Sequence, residues 1–149
     1  MKNAISEAKI NFTQGDDIPV GCVIKYGGEI IASTHNKRIE LNDVTAHAEI
    51  LAIQQAQKNL GTSHLKNCEM YVTLEPCPMC AWAIIQSGIS TLYFGSYNIQ
   101  YGAIQSVLKL PEVANSKIKV YGGIEEEECN KILEDFWKRV RKNDNQDRA

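Results

Sequence analysis

Tyr71-Val72-Thr73-Leu74-Glu75-Pro76-Cys77-Pro78-Met79-Cys80 changes character halfway along. Its first half continues a β-branched, apolar run that predicts a strand over Cys68 to Leu74. Its second half opens a helix: Pro76 suits a first turn, and Met79 to Gln86 carry the helix on to Ser87-Gly88. A further strand follows at Ile89 to Phe94. Strand, helix and strand in immediate succession are the repeating unit of α/β sheets.

The pattern extends outward in both directions. Upstream, Ala4, Ile5, Ala8 and Phe12 give residues 2 to 14 a helical spacing that Gly15-Asp16-Asp17 ends. Ile18 to Tyr26 and Glu29 to Thr34 read as two antiparallel strands around Gly27-Gly28. After a polar, irregular stretch from His35 to Thr45, Ala46, Ile50, Ile53, Ala56 and Leu60 predict a second helix that Gly61 stops. Downstream, Gly95 to Ser106 reads as a loop, Lys117 to Tyr121 as a short strand, and Glu125 to Arg141 as a terminal helix. These elements predict an α/β sandwich with a mixed sheet.

A length of 149 residues fits a single domain over residues 1–149. With 44% hydrophobic and 23% charged residues, the chain has the make-up of a folded globular protein and not of a disordered one. No run approaches the roughly 20 apolar residues of a membrane span, and the first residues lack the apolar run of a secretory signal; the expectation is a cytoplasmic protein with no membrane partner. Five cysteines, an odd number, suit thiols or metal ligands better than a disulfide framework.

The net charge of −2 conceals an asymmetry. Glu125 to Glu128 are consecutive, whereas the tail of about 138–149 holds Lys138, Arg139, Arg141, Lys142 and Arg148 against Asp144 and Asp147. A helix dipole explains both runs if the acids lie at its start and the bases at its end. Contact with a nucleic-acid backbone is the other explanation of the bases.

The chemistry lies at two helix starts, His47-Ala48-Glu49 and Pro76-Cys77-Pro78-Met79-Cys80. Imidazole and thiolate together suit zinc, and three protein ligands (His47, Cys77, Cys80) leave a fourth tetrahedral position for water, as a catalytic site requires. Cys77 and Cys80, three apart, lie on one side of their helix, where unpaired backbone N–H groups favour thiolate. Glu49 is then free to act as a base. Taken alone, Cys-x-x-Cys also fits a redox pair or half a structural finger. Together, His-x-Glu and Pro-Cys-x-x-Cys form the pattern of the zinc nucleobase deaminases. Cys22, Cys68 and Cys129, in apolar surroundings, read as buried free thiols, and His35 and His64 as polar loop residues.

With these residues in view, the sequence resembles the bacterial tRNA-specific adenosine deaminases. The similarity runs through Ile18-Pro19-Val20-Gly21, Asn36, Thr45 to Glu49, Tyr71 to Cys80, Phe94-Gly95 and Asp135-Phe136-Trp137 with the bases after it. The resemblance implies a cytidine-deaminase-like three-layer α/β/α sandwich around a central mixed five-stranded sheet, one zinc per subunit, and a homodimer. It also implies hydrolytic attack at C6 of a flipped adenine, with Glu49 taking the water's proton and passing it to N1 and then to the departing ammonia. Asn36 would hydrogen-bond the base or its sugar, and Pro19, Val20 and Ala46 would wall the pocket. The expected substrate is the wobble adenosine of a tRNA anticodon, that of an arginine tRNA, with Lys138, Arg139 and Arg141 on the RNA backbone.

The similarity weakens after Phe94-Gly95, where the family shows an Asp, a Lys, Gly-Ala and Gly-Ser. Here the stretch holds Asn98, Gln100, Gly102-Ala103 and Gln105-Ser106. Asn98 is a substrate-contact candidate that accepts a 2′-hydroxyl with less charge than Asp. A deaminase of a free nucleobase or nucleoside (guanine, cytosine or cytidine) shares the zinc triad and the base, and is the alternative. A non-catalytic zinc module and a Cys77/Cys80 redox protein lie further off.

Overall fold

Gly27 and Gly28 take φ of 58° and 82°, the left-handed backbone of a tight hairpin that costs glycine nothing. Across them β1 (Gly21–Tyr26) and β2 (Glu29–His35) pair antiparallel, with one irregularity between Ile24 and Lys25. The computed structural model describes residues 1–148. The remaining elements are α1 (Lys2–Gln14), α2 (Arg38–Leu41), α3 (Ala48–Leu60), β3 (Cys68–Leu74), α4 (Pro78–Ser87), β4 (Thr91–Ser96), α5 (Leu110–Val113), β5 (Lys119–Tyr121) and α6 (Glu126–Asp147).

The sheet order is β2-β1-β3-β4-β5. β1 is antiparallel to both of its neighbours, while β3, β4 and β5 run parallel, so the sheet is mixed. α3 and α4 pack together on one face, over a core that includes Cys22, Ile24, Ala52, Met70, Val72, Ile84, Leu92 and Phe94. α1 and α6 pack together on the other, joined through Ile5, Ala8, Cys129 and Ile132. The result is the three-layer α/β/α sandwich expected from the resemblance.

The antiparallel steps on either side of β1 give β2 the same direction as β3. His35 and Leu74 therefore emerge at one edge of the sheet, and the helices that follow begin there. Crevices at the carboxyl ends of strands are where α/β sheets place their ligands.

Several boundaries differ from the sequence expectation. β1 starts at Gly21 and not at Ile18, since Pro19 has no N–H to give a ladder and Ile18 to Val20 form an extended lead-in. The helix after β3 starts at Pro78, with Cys77 as its extended N-cap, because a residue before proline avoids the helical region. The 35–45 stretch contains the single turn α2, and α5 was not expected. α6 continues to Asp147, so the tail from 138 is helix, and Lys138 to Lys142 lie well before its last turn, which holds no base. The dipole explains the glutamates in the first turn but not these bases.

Arg139 departs from the others. Its guanidinium donates to the carbonyls of Phe12 (2.7 Å) and Gly15 (3.2 Å) and lies 4.5 Å over the Phe12 ring. It satisfies the open carbonyl end of α1 and ties α6 to it. Two of its donors are thereby engaged within the chain, where the sequence suggested contact with an RNA backbone.

Gly21 sets how closely α1 approaches the sheet. A Cβ there would meet the Ala4 carbonyl oxygen at 1.8 Å and the Ala8 nitrogen at 2.6 Å, both backbone atoms. Gly21→Ala is expected to lower the free energy of unfolding by about 2 to 3 kcal/mol, through the displacement of α1. Urea denaturation checks this, and an unchanged midpoint would contradict it.

Candidate active site

Both ligand-bearing helices present their first residues at the shared sheet edge. His47 is the extended N-cap of α3, Cys77 is the N-cap of α4, and Cys80 lies one turn further on. The His47 Nδ1 lies 3.6 Å from the Cys77 Sγ and 3.4 Å from the Cys80 Sγ. All three donor atoms fall within 4.8 Å of one another, and they form the sole such His/Cys/Asp/Glu cluster among the described residues. His35 is elsewhere, paired with Glu7 at 2.8 Å.

The donor set fits zinc. Metal–donor bonds of about 2.0 to 2.3 Å place neighbouring tetrahedral ligands about 3.3 to 3.8 Å apart, the range in which both nitrogen–sulfur distances fall. The hydrogen bond from Cys80 holds the Cys77 thiol down at about 4, against burial and with help from His47. The same bond, with burial, pushes Cys80 far up. Cys77 is thereby favoured as thiolate and Cys80 as thiol beside an imidazole, and a divalent cation that displaces the Cys80 proton has two thiolates and a neutral nitrogen to hold it.

Glu49 stands in the first turn of α3, two residues beyond His47, and is 4% exposed. Burial pushes its carboxyl up to about 7, and the nearby Cys77 thiolate acts in the same direction. A carboxyl so placed exchanges protons near neutrality, which is what a group that both accepts and returns a proton needs.

A cavity of ≈ 400 Å³ opens over these residues, bordered by apolar Ile18, Val20, Val44, Leu74 and Pro78 and by polar Asn36, Arg38, Glu75, Asn98 and Tyr101. Its size suits one nucleobase. Val20, Asn36 and Asn98 border it as the sequence reading expected; Pro19 and Ala46 do not. Both are buried behind it, and Ile18 and Val44 occupy the wall instead. For Pro19 the pattern is that of an extended chain, in which alternate side chains face opposite ways: Ile18 and Val20 border the cavity and the intervening Pro19 is buried away from it.

The two amides are partly committed. Asn36 donates from Nδ2 to the Ile18 carbonyl (2.8 Å) and accepts the Ala48 N–H at Oδ1 (2.8 Å), which leaves one N–H for a ligand. It thereby caps α3 and ties that helix to the β1 lead-in. Asn98 accepts the Tyr101 N–H (3.0 Å) at Oδ1, which leaves its NH₂ group and the oxygen's second lone pair for a ligand.

Glu75 is the largest omission of the sequence reading. Only 1% exposed, it receives the N–H groups of Asn98, Ile104, Gln105 and Ser106 and the Ser106 hydroxyl. Burial raises its carboxyl, but the bonds from Gln105, Ser106 and Ile104 together outweigh that and hold it below its ordinary value. Its position beside Pro76 suggested only a helix-start carboxylate, and no local pattern reveals partners some 30 residues away. Cys22, Cys68 and Cys129 are buried free thiols, as expected.

Residues 1–96 match the cytidine and deoxycytidylate deaminase zinc-binding region. The tRNA-specific adenosine deaminase of Aquifex aeolicus is 41% identical over 145 residues, covering 96% of this chain and 95% of the relative. A solved structure from studies of A-to-I editing by tRNA:A34 deaminases at the wobble position superposes with a TM-score of 0.86 at 40% identity, covering 89% of this chain and 97% of that one. Guanine deaminase from Bacillus subtilis superposes less well, with a TM-score of 0.64 at 33% identity, covering 78% of this chain and 68% of that one. The chain belongs to the cytidine and deoxycytidylate deaminase family, within the branch of the tRNA-specific adenosine deaminases.

Proposed function

We propose that the chain hydrolyses adenosine to inosine at the wobble position of a tRNA anticodon, that of an arginine tRNA, and acts as a cytoplasmic homodimer. One observation carries the reading: His47, Cys77 and Cys80 converge on one point with the buried Glu49 beside them, at the floor of a cavity sized for one base.

Water and adenosine give inosine and ammonia: a C6–O bond forms and the C6–N6 bond breaks. Zinc held by His47, Cys77 and Cys80 supplies the Lewis acidity that makes water a nucleophile at neutral pH. Glu49 takes the water's proton on its carboxylate, delivers it to N1, and shuttles the next proton to N6 so that ammonia departs. The remaining N–H of Asn36 and the amide of Asn98 orient the base. Ile18, Val20, Leu74 and Pro78 close apolar walls around it and exclude bulk water.

Two surface features support the partners. Lys138, Arg141 and Lys142 stand in a stretch of α6 where neither a buried core nor the helix terminus accounts for them, which suits contact with phosphates. Met79 and Trp82 on α4 and Val107, Leu108 and Val113 around α5 expose apolar side chains on helices that touch, which suits a second copy of the chain. No helix among the described residues is long and apolar enough to cross a membrane.

Incubation of the zinc-loaded chain with total tRNA, read by nucleoside mass spectrometry, is expected to give inosine, while Glu49→Gln lowers the rate by at least about 10³-fold and keeps its zinc. Release of ammonia from free guanine or cytosine with no inosine in tRNA would overturn the reading. Lys138→Ala and Arg141→Ala are each expected to reduce the slope of log affinity against log salt by about one, whereas Arg139→Ala lowers the thermal midpoint and leaves the slope alone. Equal slopes for all three variants and the parent would remove the RNA contact.

A further inference from the structure

Glu75 joins the zinc-ligand helix to the wall of the cavity. Its backbone N–H bonds the Ser96 carbonyl (2.8 Å) at the end of β4, and its carboxylate is buried under the loop that follows. Oε2 accepts Ile104 (3.2 Å), Gln105 (2.8 Å) and Ser106 (3.0 Å) N–H groups; Oε1 accepts the Asn98 N–H (3.3 Å) and the Ser106 hydroxyl. Gly102 lies so close that a Cβ there would meet the carboxylate at 2.6 Å and the Asn98 carbonyl oxygen at 2.4 Å. The loop is wound around one carboxylate as around a post.

What the post holds up faces the substrate. Asn98, gripped at its own N–H, accepts the Tyr101 N–H on its side chain and the Gly102 N–H (2.8 Å) on its carbonyl. Asn98 and Tyr101 both border the cavity, and Tyr101 is 64% exposed, so its ring stands at the rim. Its π-face is there for a base to stack upon. The chain of contact runs from Glu75 to Asn98 to Tyr101, and none of these side chains is among the metal ligands.

Resting on the deaminase reading above, we propose that Glu75 is a positioning residue for substrate recognition: it fixes the 98–106 loop so that the Asn98 amide and the Tyr101 ring form one wall of the base cavity. The number of donors explains why the residue is an acid. Five donors need a group that accepts on both oxygens, which a carboxylate does and an amide does not. In Glu75→Gln the single oxygen takes the three N–H groups of Ile104, Gln105 and Ser106. The new NH₂ then donates to the Ser106 hydroxyl, which turns to accept it, and opposes the Asn98 N–H, which has no such freedom. The variant releases Asn98 in particular.

Steady-state kinetics on an anticodon stem-loop and hydrogen–deuterium exchange of the zinc-loaded protein test this together. For Glu75→Gln, KM is expected to rise about tenfold with kcat reduced no more than about threefold, one zinc retained, and faster exchange at 98–106. Ser106→Ala, which loses one hydroxyl donor and keeps every N–H, is expected to raise KM about threefold and decides the matter if Glu75→Gln does not fold. An unchanged KM, or a loss confined to kcat or zinc content, would overturn the proposal while the parent still makes inosine. No inosine from the parent would instead remove the deaminase reading, and the recognition role with it.

Discussion

Two helices begin at the same edge of one sheet, and everything chemical about the molecule depends on that coincidence. It follows from strand direction: β1 is antiparallel to both β2 and β3, so β2 and β3 point the same way and their carboxyl ends lie together. The chain leaves β2, passes through the single turn α2 and meets α3 at His47; it leaves β3 and meets α4 at Cys77. Had the hairpin paired in the other sense, the imidazole and the sulfurs would lie at opposite ends of the sheet. The N-cap positions matter as well. An N-cap residue is extended, and its side chain is free of the helix barrel, so His47 and Cys77 project toward one another while Cys80 joins them from one turn along.

Burial then supplies the chemistry. The same α3 start that carries His47 places Glu49 inward, where loss of water raises its carboxyl toward neutrality. Glu75 is also buried, yet lies below its ordinary value because five donors surround it. The two acids occupy one cavity with opposite tendencies. One is set to exchange protons and the other to keep its charge and hold a loop, a division made by hydrogen-bond partners and not by residue type.

The sequence reading succeeded where spacing is local. His-x-Glu and Cys-x-x-Cys are fixed by a single turn of helix, and the strand and helix periods come from side-chain alternation, so the metal cluster, the layers and the mixed sheet were all legible. It failed where a residue's partners lie far along the chain. Arg139 looked like one more base in a basic run, but Phe12 and Gly15, more than 120 residues earlier, claim its guanidinium. Glu75 looked like a helix-start acid, because nothing near it in sequence shows the loop it holds. Pro19 and Ala46 lay in the right segments and on the wrong side of them, a matter of one residue of alternation in an extended stretch. The helix-dipole account of the bases failed for another reason: α6 runs past its last buried residue, Phe136, to Asp147, which no apolar period marks.

X-ray absorption at the zinc edge of the purified protein tests the convergence most directly. Two sulfurs at about 2.3 Å, one nitrogen at about 2.0 to 2.1 Å and one light oxygen donor are expected, the oxygen belonging to exchangeable water. A fourth protein donor, or a first shell with fewer than two sulfurs, would contradict the open three-ligand site.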